Sequence, residues 1–304
     1  MPTPPWTDPS DAPVIEQSIH DYIVSIFRRV RGHRGLVEII PISPGAEATR
    51  GYDAAVKEVV PLYFQYKLPD FTSRPQSSQP EVYRQRADWA FDDAGGLFHF
   101  RLRAKATHAP QSQHQLLFEL ARKGAHAYYV SPTFIDQQRL RFGGELIANE
   151  PYALRYMNVQ YGDLLDRVEV PVLHDIICIP PCCSVDDPPE SHQFFFNQKR
   201  QVSLHSDPVR VESLDLASVI DDQLRELVSG RALTQDSVNE HVNYILRSLS
   251  GEFRDERNFG LVSDYYRSMR SEIGTANELM ISLRALARTV QDLSGVQMLL
   301  TMRL

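Results

Sequence analysis

The fold of this chain is decided by residues 51–68, which read GYDAAVKEVV followed directly by PLYFQYKL. Both halves are rich in β-branched and aromatic residues, and we interpret them as two neighbouring strands. The first strand opens with Asp53, and the second ends in Gln65 and Lys67. Residues two apart lie on one face of a strand, so Gln65 and Lys67 share a face. An acid, an amide oxygen and an ammonium group at the end of a sheet could form a site for a metal ion and a water.

The surrounding segments predict a mixed sheet flanked by helices. Residues 14–31 carry apolar residues at steps of three and four, which predicts an amphipathic helix with Glu16 in its first turn. Residues 113–123 predict a second helix, which Gly124 ends. Further strands are predicted at 36–42, 97–103, 125–132, 175–179, 193–196 and 201–204. A helix that leads through a short turn into an apolar strand is typical of a crossover in a mixed sheet.

Composition divides the chain into three parts. Residues 1–13 are rich in proline and predict a flexible arm, and residues 14–211 predict an α/β domain. Residues 212–304 carry apolar residues at helical spacing and predict a module of three or four helices. Its last apolar run, Leu279–Leu300, is suited to a partner helix, so we expect self-association or a protein partner through this module.

The overall composition limits the environment and the partners. Apolar residues make up 42% of the 304 residues and charged residues 23%, as in a folded protein. The net charge of −7 argues against a generally basic nucleic-acid coat but leaves room for a local basic groove. Three clustered cysteines suit a reducing compartment. The sequence has no secretory signal pattern and no apolar run near the roughly 20 residues of a membrane span, so we expect a cytoplasmic protein without membrane contact.

The order of one helix and three strands over residues 14–68 resembles the core of the PD-(D/E)xK nuclease superfamily, the restriction-endonuclease-like fold. The resemblance is carried by Asp53, Gln65 and Lys67, with Glu16 as a further member. In that superfamily the aspartate opens the second core strand, and an acid, sometimes Gln, lies two residues before the lysine on the third. A helix and a fourth strand follow. The resemblance covers residues 14–132 and implies an α+β fold with a mixed sheet of that type.

The resemblance implies a Mg²⁺-dependent nuclease that hydrolyses phosphodiester bonds of DNA, in a bacterial defence or repair system. Magnesium would neutralise the phosphate and lower the pKa of the attacking water. Asp53 would bind the metal directly and Gln65 through its amide oxygen. Glu16 would hold a second metal or a water bound to it. Lys67 would orient or activate the water and stabilise the developing negative charge.

Gln113 and His114 open the helix after the third strand and are secondary candidates. They would contact phosphate or assist Lys67 in the fold that the resemblance implies. No zinc is expected, because Cys182 and Cys183 are adjacent and the histidines show no ligand spacing with the cysteines.

Each candidate also has a purely structural interpretation. Asp53 could be a turn residue at a strand start, and Gln65 and Lys67 could form the solvated face of an edge strand. Glu16 and the Gln113–His114 pair could be polar residues favoured at helix N-termini. The alternative function is a catalytically inactive nuclease-like component that binds or assembles through the C-terminal helices.

Overall fold

The computed structural model describes residues 19–23, 37–41, 58–73, 88–92, 95–105, 111–135, 175–185, 188–204, 209–229, 231–251, 256–273 and 277–303. Residues 19–23 are helical. The strands are β1 (Val37–Pro41), β2 (Glu58–Tyr66), β3 (Asp70–Thr72), β4 (Leu97–Arg101), β5 (His126–Pro132), β6 (Ile176–Ile179), β7 (Gln193–Phe196), β8 (Val202–Leu204), β9 (Arg210–Val211), β10 (Leu214–Asp215) and β11 (Gln297–Arg303). The helices with complete bounds are α1 (Gln113–Arg122), α2 (Leu216–Val228), α3 (Val238–Leu249), α4 (Glu256–Ser271) and α5 (Glu278–Ser294).

The strands form two sheets. The larger sheet has the order β1-β11-β2-β5-β6-β10 and is mixed, because β2 and β5 are parallel while its other neighbours are antiparallel. The smaller sheet has the order β3-β4-β7-β8-β9 and is antiparallel throughout. The predictions of an α+β fold with a mixed sheet, of a crossover through α1 into β5, and of helices near the C-terminus are confirmed.

The prediction of two strands over residues 51–68 is wrong, because Glu58–Tyr66 is one continuous strand. The N–H groups of Val59 and Lys67 donate on the side of β2 that faces away from β11. Pro61 lies two residues after Val59, so the N–H group that proline lacks would also have faced that side. Pairing with β5 begins only at Leu62, so Pro61 interrupts no ladder there and does not end the strand.

The prediction that residues 212–304 are helical to their end is also wrong. The described residues of this segment form four helices, but β11 lies inside the larger sheet, where Leu300 pairs with Ile40 of β1 and with Pro61 of β2. The apolar run Leu279–Leu300 divides at Gly295, whose φ of +72° ends α5 in the left-handed conformation. The domain border at residue 212 stays a prediction, and described residues on both sides of it share one core.

The core lies on both faces of the larger sheet. On one face, Val59 and Tyr63 pack with residues of α1, α3 and α5, and the smaller sheet joins this cluster. On the other face, Leu62 and Phe64 pack against α2 and the helical residues 19–23. Within the part of the chain that the structure describes, no helix combines the length and the apolar character needed to cross a membrane.

Candidate functional site

Three polar side chains meet beside the C-terminal end of β2. Gln65 and Lys67 are each only 3% exposed and share the face of the strand that carries Tyr63. Gln113, the first residue of α1, donates its amide N–H to the Oε1 atom of Gln65. The ammonium group of Lys67 donates to Oε1 of Gln113 at 3.4 Å. We name Gln65, Lys67 and Gln113 the polar cluster.

Strand direction explains why α1 reaches the cluster. A helix that leads into a parallel strand runs in the direction opposite to that strand, so α1 begins where β2 and β5 end. Ser112 fixes this beginning, because its extended backbone and its hydroxyl group, which accepts from the N–H of Gln115 at 3.1 Å, cap the helix. Gln113 therefore stands at the first helical position, facing the end of β2.

The C-terminal segment completes the cluster. The amide of Gln113 also donates to the backbone carbonyl of Ser294, the last residue of α5, at 2.6 Å. Gly295 follows, and a Cβ atom at this position would lie 3.3 Å from the amide nitrogen of Gln113. The sequence gives one indirect sign of this contact, a glycine at the end of a helix. The part played by the Ser294 carbonyl was not predicted.

His114 is buried beside the cluster, and both of its ring nitrogens are engaged within the protein. Nε2 lies 2.8 Å from the carbonyl oxygen of Cys183, and Nδ1 lies 2.8 Å from the hydroxyl of Tyr129. A carbonyl only accepts, so Nε2 carries the proton and Nδ1 accepts from Tyr129. The Lys67 ammonium lies 5.6 Å from the centre of the Tyr129 ring. His114 is thus placed to orient Tyr129 under Lys67, and neither of its nitrogens is left for a phosphate.

Burial lowers the pKa of His114 to about 4, although the hydrogen bond to the Cys183 carbonyl opposes this shift. The ring is therefore neutral at pH 7. Between pH 6.5, the ordinary pKa of histidine, and pH 4, the unfolded chain binds more protons at this residue than the folded chain. Stability consequently falls as the pH falls through this window.

We expect the unfolding free energy to fall as the pH falls from 6.5 to 4, because His114 binds up to one more proton in the unfolded chain than in the folded chain. Urea titrations of the wild type and of His114→Gln between pH 7 and pH 4 measure this pH dependence of the unfolding free energy. The variant should be less stable at pH 7 and should show a shallower pH dependence. Equal slopes in the two proteins would contradict a neutral buried His114.

The structure brings together four of the predicted site residues, Gln65, Lys67, Gln113 and His114. Asp53 and Glu16 lie outside the described residues, so their part in the site stays a prediction. The edge-strand interpretation of Gln65 and Lys67 is wrong, because β2 is an inner strand and both side chains are buried.

The described residues supply amide oxygens but no carboxylate to the cluster. Among them, no group of three or more His, Cys, Asp and Glu side chains could hold a metal ion. The hard oxygen donors that are present suit Mg²⁺ rather than Zn²⁺. The carboxylates that Mg²⁺ prefers would have to come from residues outside the described ranges, where Asp53 and Glu16 are the predicted donors.

Comparison with known proteins gives no relative: no family model, no curated protein and no solved structure matches this chain.

Proposed function

We propose that this chain is a metal-dependent nuclease that hydrolyses phosphodiester bonds of DNA. The observation that supports the proposal is the convergence of Gln65, Lys67 and Gln113 at the point where the parallel strands β2 and β5 end. Strand ends in a mixed sheet are a usual place for ligand sites, because side chains from several elements meet there. Two amide oxygens and an ammonium group are suited to a phosphate and its counter-ion.

Magnesium, when bound, would supply charge neutralisation at the phosphate and activation of a water. Gln65 would offer its Oε1 atom to the ion, next to carboxylates from Asp53 and Glu16. Gln113 would hold Lys67 in place, because its Oε1 atom accepts from the Lys67 ammonium group. Lys67 would place its positive charge beside the oxygen that becomes negative during hydrolysis, and its burial strengthens this effect by removing competing water.

One observation favours the alternative, a catalytically inactive component that binds or assembles. The polar cluster is closed, because Gln113 occupies the space between Gln65 and Lys67 and is itself tied to Ser294. A nuclease of this type needs an open cleft at the lysine. In the active form, therefore, the amide of Gln113 must release the Oε1 atom of Gln65 to a metal ion.

Nicking of supercoiled plasmid DNA tests the proposal. We expect the full chain to nick plasmid in Mg²⁺ or Mn²⁺ and to be inactive in EDTA. Asp53→Asn keeps the shape of the side chain but removes the carboxylate charge from the proposed metal site, so it should abolish nicking in both metals. Asp264→Asn, a matched change at an exposed carboxylate on α4, should leave the rate unchanged.

Two results would contradict the nuclease. One is a folded wild type that leaves plasmid, linear duplex and single-stranded DNA intact in Mg²⁺, Mn²⁺ and Co²⁺. The other is activity that survives in Asp53→Asn. The first result would favour the inactive binding component, for which the C-terminal helices are the candidate surface.

A further inference from the structure

A second concave site lies near the opposite end of β2. It is a cavity of about 470 Å³ between the first half of β2, the start of β5, α3 and the C-terminal end of α2. This volume falls within the roughly 300–1,000 Å³ of small-molecule sites. Tyr63 lines the cavity and precedes Lys67 by four residues, a distance of about 13 Å along a strand. The cavity is therefore separate from the polar cluster.

The inner wall of the cavity is apolar and aromatic. Val60, Pro61 and Leu233 provide aliphatic surface, and the rings of His241 and Tyr244 lie along one side. The Tyr63 hydroxyl is hydrogen-bonded to Nε2 of His241 at 2.8 Å, and burial lowers the pKa of His241 to about 4. His241 is neutral at pH 7. A neutral imidazole beside an apolar wall suits an uncharged ring with hydrogen-bonding edges.

An ion pair closes the second side of the cavity. Nε2 of His126 lies 3.0 Å from Glu226, and Arg231 lies 3.9 Å from the other oxygen of the same carboxylate. The side chains of His126 and Glu226 are 14% and 21% exposed, whereas the Arg231 side chain is 69% exposed. Arg231 offsets part of the Glu226 charge and keeps donors that face solvent.

The mouth of the cavity carries two cations and one acid. Lys123 and Arg231 are exposed there, and so is Glu240. Within the described ranges, Lys123 and Glu240 form no ion pair. An anionic group at the mouth would meet Lys123 and Arg231, and Glu240 would weaken its attraction.

We propose that this cavity binds a small heteroaromatic molecule that carries an anionic group, the nucleoside monophosphates being the simplest biological examples. The neutral inner wall takes the ring, through His241 and the aliphatic surface of β2. The two cations at the mouth take the phosphate, since Arg and Lys are the usual partners of phosphate oxygens. The ligand binds whether or not the polar cluster cleaves DNA.

Calorimetric titration of the full chain with AMP tests this site, with adenosine and inorganic phosphate as probes of each half of the ligand. AMP should bind more tightly than either one. The double variant Lys123→Ala/Arg231→Ala should weaken the binding of AMP by at least about fivefold and leave the binding of adenosine unchanged. Glu240→Gln should strengthen AMP binding, which distinguishes a local charge effect from damage to the fold. Lys105→Ala, an exposed lysine outside the cavity, is the matched control.

Three results would overturn the proposal. The first is the absence of binding by AMP and by adenosine at millimolar concentration to a folded wild type. The second is AMP binding that the double variant does not weaken. The third is inorganic phosphate binding as tightly as AMP, because the ring would then contribute nothing. All three are binding measurements, so a failed nuclease assay leaves this test unaffected.

Discussion

A chain that ends at Gly295 is expected not to fold. The truncation removes β11, which pairs with β1 on one side and with β2 on the other. It also removes the buried apolar side chains Met298, Leu299, Leu300 and Met302. Burying such a side chain contributes about 1.5–3 kcal/mol, so the loss is comparable to the roughly 5–15 kcal/mol by which native domains are stable. The strands β1 and β2 would also lose the neighbour to which their backbone groups are hydrogen-bonded.

Circular dichroism and thermal unfolding measure this effect. The truncated chain should show no cooperative transition. Two point variants compare the contributions of a buried and a partly exposed residue of β11. Leu300 is fully buried, and Gln297 is partly exposed. Leu300→Ala should cost about 2–5 kcal/mol and Gln297→Ala less than about 0.5 kcal/mol. A truncated chain with an intact cooperative transition would show that β11 is dispensable.

The sequence predicted most of the strands and helices, and the two errors in element bounds share a physical cause. Residues 297–303 are apolar without strict alternation and follow a long apolar helix, so periodicity alone does not separate them from that helix. The division of β2 at Pro61 had the same origin. Whether a proline breaks a strand depends on whether the neighbouring strand needs the missing N–H group. The strand on that side of Pro61 is β5, which lies more than 60 residues further along the sequence. In both cases the deciding contact is tertiary.

The site was predictable where local rules apply. Alternation placed Gln65 and Lys67 on one face, whereas only the resemblance to the nuclease core placed Gln113 near the same sheet edge. The contacts that close the cluster were not predictable, because they join Gln113 to a carbonyl at residue 294 and His114 to a carbonyl at residue 183. Backbone acceptors carry no side-chain signature, so any residue type can supply them.

The bond between Gln113 and Ser294 links the polar cluster to the junction of α5 and β11. A change that moves the end of α5 removes an acceptor from Gln113 and frees its amide from one of two tethers. The remaining tether is Gln65, the residue that would turn its oxygen toward a metal ion. The C-terminal segment thus has two roles in one place, since β11 completes the sheet and the α5 terminus helps to hold the cluster closed.

Lys67→Ala is expected to lower the rate of Mg²⁺-dependent DNA nicking by about a hundred- to a thousandfold, if the chain is the nuclease proposed above. Loss of one group that stabilises the negative charge of a transition state has an effect of this size. Lys67 is buried, and its ammonium lies near the Gln113 amide and the Tyr129 ring. Its charge therefore acts in surroundings with little water, where it is weakly screened.

The measurement is a single-turnover nicking assay at saturating Mg²⁺, with Lys105→Ala as the control for loss of one positive charge. Lys105 is exposed and lies outside both the polar cluster and the cavity, so its removal should leave the rate within about twofold. Circular dichroism must show that Lys67→Ala is folded at the assay temperature. A folded Lys67→Ala protein that nicks at the wild-type rate would remove Lys67 from the chemistry. Equal loss in both variants would instead indicate a general role of charge in DNA binding.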